Sequence, residues 1–249
     1  MIVTDSLFYP DRFRFDPRKV KCLGSALRET QVATAWHLAP VQTFDQVFQR
    51  ESLVAGAGGS TTSYPAVLNG AGHTLQGRRR YAGTAEGSLA MERREVDGSG
   101  AITWASVKVT QALRGKQLRI LVQFGLTRHK ELPDVPWIYD YVRNDADRAA
   151  LNLVFGPQEF GRPYLVAEGV PDATVGILRA AFDRTMASRE FRADAMRRGL
   201  DLDPPMGAEI QGVVEDIHRT PRCCRRPRAQ APRGHRPASP RATHPDDAP

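Results

Sequence analysis

The order of segments between residues 32 and 124 constrains this chain most. Short apolar runs alternate with helix-patterned stretches, and glycine-rich turns join them. Val32–Trp36 reads as a buried strand ending at His37 and Pro40, and Thr43–Arg50 as a short helix with Phe44, Val47 and Phe48 on one face. Leu53–Ala55 is a short strand running into Gly56-Ala57-Gly58-Gly59-Ser60-Thr61-Thr62-Ser63, and a helix follows to Gly70, with Pro65 placed in its first turn. Arg79–Tyr81 leads into Gly83-Thr84-Ala85 and a helix through Leu89 and Met91, which ends toward Val96-Asp97-Gly98. A helix starts near Trp104, and Leu118–Phe124 is a buried strand. Such alternation predicts an α/β unit with a mainly parallel sheet.

After about residue 130 the pattern changes. Leu132-Pro133-Asp134-Val135-Pro136 reads as a rigid linker and Asp145–Val154 as a helix. Arg162–Ala167 ends a strand, and Asp172–Met186 is an amphipathic helix with Val175, Leu178 and Phe182 on one face. Helices near 189–198 and 206–218 complete the body, while Asp11–Lys21 at the other end reads as a loop.

The net charge of +7 suggests a polyanion partner until it is located. Residues 221–249 hold seven Arg and two Asp, so five of the seven excess charges lie there and the remaining body is nearly neutral. A surface that tracks phosphates carries its excess on the fold itself, so nucleic acid is not the expected partner. The same segment has seven Pro and no Ile, Leu, Val, Met, Phe, Trp or Tyr, the composition of a disordered tail. Cys223 and Cys224, with His235 and His244, match no zinc spacing, and Cys22 stands alone in the body. No apolar run is long enough to span a membrane, and the first residues carry no secretory pattern.

The chemistry concentrates at two turns. Ser60, Thr61, Thr62 and Ser63 open a helix behind glycines, where N–H groups, the helix dipole and hydroxyls favour an anion. No Lys stands there, so the turn is not a P-loop and suits a carboxylate. Gly83-Thr84-Ala85-Glu86 repeats the device after another strand. Simple helix capping, by Ser60 or Thr61 and by Thr84, explains the same residues and stays open at this stage. Two such turns at successive strand ends should face one crevice. His37, His73 and His129 read as strand-end or loop histidines, and Glu92–Glu95 as a solvated charge run. No HExxH, CxxC or GxSxG occurs, and no nucleophile–base set is visible, so no enzyme, cofactor or metal is expected.

These stretches resemble the solute-binding receptors of tripartite tricarboxylate transporters, the Bug family. The likeness rests on Gly56–Ser63, Tyr81–Ala85 with Met91–Gly98, Leu132–Pro136, and Gly169-Val170-Pro171 with its helix, in that order. It implies a two-lobed type II periplasmic binding fold closing on a small carboxylate and presenting it to membrane permease subunits. Ser60, Thr61, Thr62 and Ser63 would hold one carboxylate, with Gly83, Thr84 and Ala85 lining the same cleft. Residues 1–29 would be a remnant of the first lobe, 30–130 the second lobe, 131–220 the later half of the first, and 221–249 a tail. The first lobe is then incomplete, so a truncated, frameshifted member with weak binding is expected, as a monomer. Localisation is periplasmic by resemblance, or cytoplasmic for a chain without a leader. The alternative from another class is an interaction protein binding nucleic acid or another polyanion through the basic tail.

Overall fold

The computed structural model describes residues 16–56, 60–70, 75–79, 81–200 and 202–219. The readings made for residues 1–15, the glycines 58 and 59, His73 and the tail lie outside these residues.

Strand β2 (Gln31–Trp36) explains the larger unit, because all six of its residues are buried. Its side chains alternate. Ala33 and Ala35 join a core with Val54, Tyr64, Leu68, Phe124 and Phe155, while Val32 and Trp36 join a second core with Ala55, Ala90, Met91 and Leu118. A strand covered on both faces reads as a continuous apolar run rather than an alternating one.

Around β2 lie β3 (Ser52–Gly56), β4 (Leu75–Arg79), β5 (Gly98–Thr103) and β6 (Leu118–Phe124), in the order β4-β3-β5-β2-β6. β3 pairs in parallel with β4 and β5, whereas β2 pairs antiparallel with β5 and β6. The mainly parallel sheet expected from sequence is therefore a mixed one: four strands run one way, and β2 runs against them in their midst.

Strand β5 was unread in the sequence, where Gly98 stood at the end of a helical unit. Its sequence, Gly-Ser-Gly-Ala-Ile-Thr, lacks β-formers at the start for a packing reason. A Cβ at Gly98 would collide with the Thr34 carbonyl, and one at Gly100 with the Pro65 ring. Pro65 belongs to helix α1 (Ser60–Gly70) and stands beyond its first turn, contrary to the first-turn placement. There it forgoes one helical hydrogen bond and packs on the bare β5 backbone instead.

The smaller unit is built on β1 (Lys21–Ser25) and β7 (Pro163–Val166), paired antiparallel from Lys21↔Val166 to Ser25↔Pro163. β1 follows directly on the segment read as a loop, and it too contains a glycine where a neighbour presses in. The Phe182 ring occupies the space a Cβ on Gly24 would need. Helix α6 (Asp172–Ala187) carries that ring. Helix α8 (Gly207–Arg219) sets Ile210, Val214 and Ile217 in a small core with Cys22, Leu153 and Phe160. Helix α7 (Arg189–Arg197) lies between them in sequence.

Short helices α3 (Trp104–Val107) and α4 (Gln111–Arg114) link β5 to β6, and α2 (Thr84–Glu92) links β4 to β5. Helix α5 (Asp145–Phe155) packs Phe155, with Leu151 and Val154, into the first core. Leu132, Ile138 and Tyr139 also belong to the cores of the five-stranded sheet, so its packing continues past residue 130.

Candidate functional site

Strands β3 and β4 lie side by side, parallel and in register, with Gly56 opposite Arg79 at their ends. The helix after each therefore begins at the same edge of the sheet. The two then part. α1 lays Tyr64 and Leu68 on the core containing Ala33 and Val54, and α2 lays Ala90 and Met91 on the opposite core. Adjacent strands whose connections leave to opposite faces create a crevice at their carboxyl ends.

The expected site residues are distributed unevenly there. Ser60 is the first residue of α1 and half-buried, Thr61 is buried, and Thr62 is placed by its backbone alone. Ser63 lies further into the helix. Its Oγ is buried and has no hydrogen-bond partner among the described residues. The start of α1 carries no acidic residue, so its positive dipole end is not neutralised by a side chain of its own turn.

The second turn differs. Gly83 is the N-cap of α2, in an extended conformation, and has no side chain to cap with. Thr84 is thus the first helical residue rather than the cap considered from sequence, and its carbonyl accepts from Ser88 Oγ. Thr84 and Ala85 are both exposed. The Glu86 carboxylate bends back to accept the Ala82 N–H at 2.6 Å. An anion arriving at α2 would meet this carboxylate, so of the two helix starts α1 is the better anion acceptor. Glu86 belongs to the turn singled out in the sequence but had no role assigned there, although the Gly-x-x-Glu spacing resembles half a capping box.

The smaller unit reaches the same edge. β2 runs against β5, so Gln31 at its start lies beside Thr103 and Phe124 at the carboxyl ends of β5 and β6. Gln158, on the 3-10 turn Gly156–Phe160, accepts the Gln31 N–H at 3.2 Å and donates to the Tyr64 hydroxyl at 2.7 Å. Arg28, in the β1–β2 connection, pairs with Glu159 of that turn and with Glu209 of α8, each at 2.7 Å. Gln158 therefore ties the start of β2 to helix α1. Sequence reasoning missed Gln158 because its partner Tyr64 stands 94 residues away.

A cavity of about 530 Å³ lies elsewhere, in the smaller unit, lined by Arg18, Lys21, Asp172 and Arg179 among others. Three of its cations are already engaged. Lys21 is held by Asp172 at 2.6 Å and the Val170 carbonyl, Arg179 donates to the Cys22 carbonyl, and Arg18 is bound to Asp16. The Arg18 guanidinium brings the Asp16 carboxyl down to about 2.

Burial pushes the Tyr64 and Tyr139 hydroxyls up, and the Cys22 thiol likewise, which leaves them neutral and poor as bases or nucleophiles. Among the described residues no group of three His, Cys, Asp or Glu could hold a metal, and no helix is long and apolar enough to cross a membrane.

No family model matches the chain, and no curated protein matches it. Solved structures do. A TctC solute-binding protein from Polaromonas, without ligand, superposes with a TM-score of 0.63 at 17% identity, over 86% of this chain and 73% of that one. MatC from Rhodopseudomonas palustris with bound malate gives 0.57 at 18%, over 90% and 75%. An R. palustris protein with adipate gives 0.54 at 15%, over 82% and 68%. At these identities the likeness is one of fold: the chain has the mixed α/β architecture of type II periplasmic binding proteins.

Proposed function

We propose that this chain is a solute-binding receptor whose crevice takes a small carboxylate at the start of α1. The observation that carries the reading is the parting of α1 and α2 after the paired strands β3 and β4: two neighbouring helix starts, of which α1 offers hydroxyls and no acid. Neighbours of the same fold hold malate and adipate, which supports a carboxylate over other anions. Ser60, Thr61 and Thr62 hold the carboxylate through the first helical turn. Ser63, with its Oγ buried, lies behind them, and Gly83, Thr84 and Ala85 form the far wall without binding charge. The units on β2–β6 and on β1–β7 act as the two lobes. The partner class is the permease of a tripartite tricarboxylate-type system, and the site of action is the periplasm.

Affinity follows from the geometry. Glu86 occupies the second helix start, so one turn supplies the polar contacts. Two or three hydrogen bonds exchanged with water contribute no more than about 4.5 kcal/mol, near a millimolar dissociation constant.

A thermal-shift titration with malate and adipate tests the reading. Ligand at about ten times its dissociation constant adds about 1.4 kcal/mol, a rise of a few degrees. Ser60→Glu places a carboxylate where the ligand's would sit, and an acid at a helix start does not harm the fold. The variant should melt no lower than the parent and lose the ligand response. An undiminished response in Ser60→Glu would remove α1 from the site, and no response in the parent would remove the function.

A further inference from the structure

The outer edge of β7 has no strand or bridge on it among the described residues, whereas the outer edge of β1 is closed by a bridge from Gly24 to Met206. Of β7's four residues three are exposed, including Tyr164 and Leu165 at 52% and 45%. A bare, apolar edge of this kind is a template for another strand.

The backbone of that edge has a definite pattern. Arg162 directs both its groups at β1: its carbonyl accepts from the Ala26 N–H, and its N–H donates to Ser25 Oγ. The Tyr164 carbonyl also faces β1, toward Cys22 Sγ. By alternation along an extended strand, Pro163, Leu165 and Ala167 direct their backbone groups outward. Pro163 has no N–H to give, and the Ala167 carbonyl is already taken by the Val170 N–H. The edge therefore offers one acceptor at Pro163, both groups at Leu165 and one donor at Ala167.

We propose that β7 pairs antiparallel with β7 of a second copy of this chain, about a two-fold axis through Leu165. In that register each Leu165 exchanges both hydrogen bonds with the partner's Leu165. Each Ala167 N–H meets the partner's Pro163 carbonyl, and the two groups missing from the edge fall opposite each other. At each end of the pairing Arg162, just before β7, approaches the partner's Glu168 in the turn just after it, twice by symmetry. Both side chains are exposed and only loosely engaged within the chain, Arg162 with Glu29 at 4.0 Å and Glu168 with Lys19 at 3.5 Å. The result is a four-stranded sheet in place of a two-stranded one, which by itself is marginal. This departs from the monomer expected on sequence.

Sedimentation equilibrium of the full chain tests the pairing, with circular dichroism to verify folding. The parent should show a concentration-dependent dimer. Arg162→Glu and Glu168→Arg should each weaken it about tenfold, since each sets like charges opposite at two places. The double reversal should recover the parent's dimer, which a merely structural effect would not do. Leu165→Pro deletes an outward N–H without touching the β1 ladder and should leave a folded monomer. A parent that is monomeric up to ~1 mM overturns the proposal. So does a dimer unmoved by both single reversals. A monomer whose Leu165 amide is protected from hydrogen exchange also overturns it, and would put another segment of the same chain on the edge.

Discussion

Strands β2 and β7 stand for two unequal units. Every residue of β2 is buried, with a core on each face, while β7 is exposed along most of its length. The inequality extends outward. Of the eleven large apolar side chains exposed among the described residues, eight lie between Tyr164 and Met206. Stability should therefore reside in the five-stranded unit, and partner-seeking surface in the other.

The sharpest way to break this comparison is to cut both units alike. Phe124 is fully buried between Tyr64 and Phe155, with ring centroids 5.3 Å away in each case. Phe124→Ala should cost about 3–5 kcal/mol in urea unfolding. Met196→Ala, at an 80% exposed position on α7, should cost less than about 0.5 kcal/mol. Comparable losses would mean that α7 is covered in solution.

The junction is the next test. Gln158→Ala strips partners from the Gln31 N–H and the Tyr64 hydroxyl, both buried, at about 1–3 kcal/mol. Because Gln158 ties the units together, fluorescence and far-ultraviolet melts should separate into two steps. A single coincident transition would show that the units remain coupled without it.

Gly207→Ala sharpens the comparison from the weaker side. A Cβ there would lie 2.6 Å from the Cys22 and Leu23 carbonyls, so α8 must lift from β1. About 1–3 kcal/mol of local stability should be lost. Hydrogen exchange should accelerate in β1 and α8 and stay unchanged in β2 and β6.

The smallest effect is electrostatic. Burial raises the Glu29 carboxyl above its ordinary range, with Arg162 opposing. The folded state thus binds its proton more tightly than the unfolded chain does. That contribution is complete below the ordinary Glu range and is lost as pH rises through the raised value. Glu29→Gln should remove this decline, so its advantage over the parent should grow from pH 4 to pH 7 in urea melts. An advantage that shrinks over that interval would reverse the sign.

How much could be read beforehand follows the same division. β2 was legible because burial on both faces leaves a nearly continuous apolar run, and β6 because Ile120-Leu121-Val122 and Phe124 keep it mostly apolar despite Arg119 and Gln123. β1 and β5 were not, because Gly24, Gly98 and Gly100 answer to neighbours distant in sequence: Phe182, Thr34 and Pro65. Ser60 and Gly83 stand at helix starts as their residue types suggest, yet the inequality of the two starts depends on one rotamer, that of Glu86. The tie made by Gln158 depends on a turn 94 residues from its partner Tyr64, and no local pattern announces it.

On the function proposed above, a carboxylate binds at the start of α1 and not at α2 or in the charged cavity of the smaller unit. Amide chemical shifts recorded while malate or adipate is titrated into the full chain address it directly. Saturable, millimolar shifts should be largest at Ser60, Thr61 and Thr62, small at Thr84 and Ala85, and absent at Lys21 and Arg179. Shifts centred on Lys21 and Arg179, or equal at both helix starts, would contradict it.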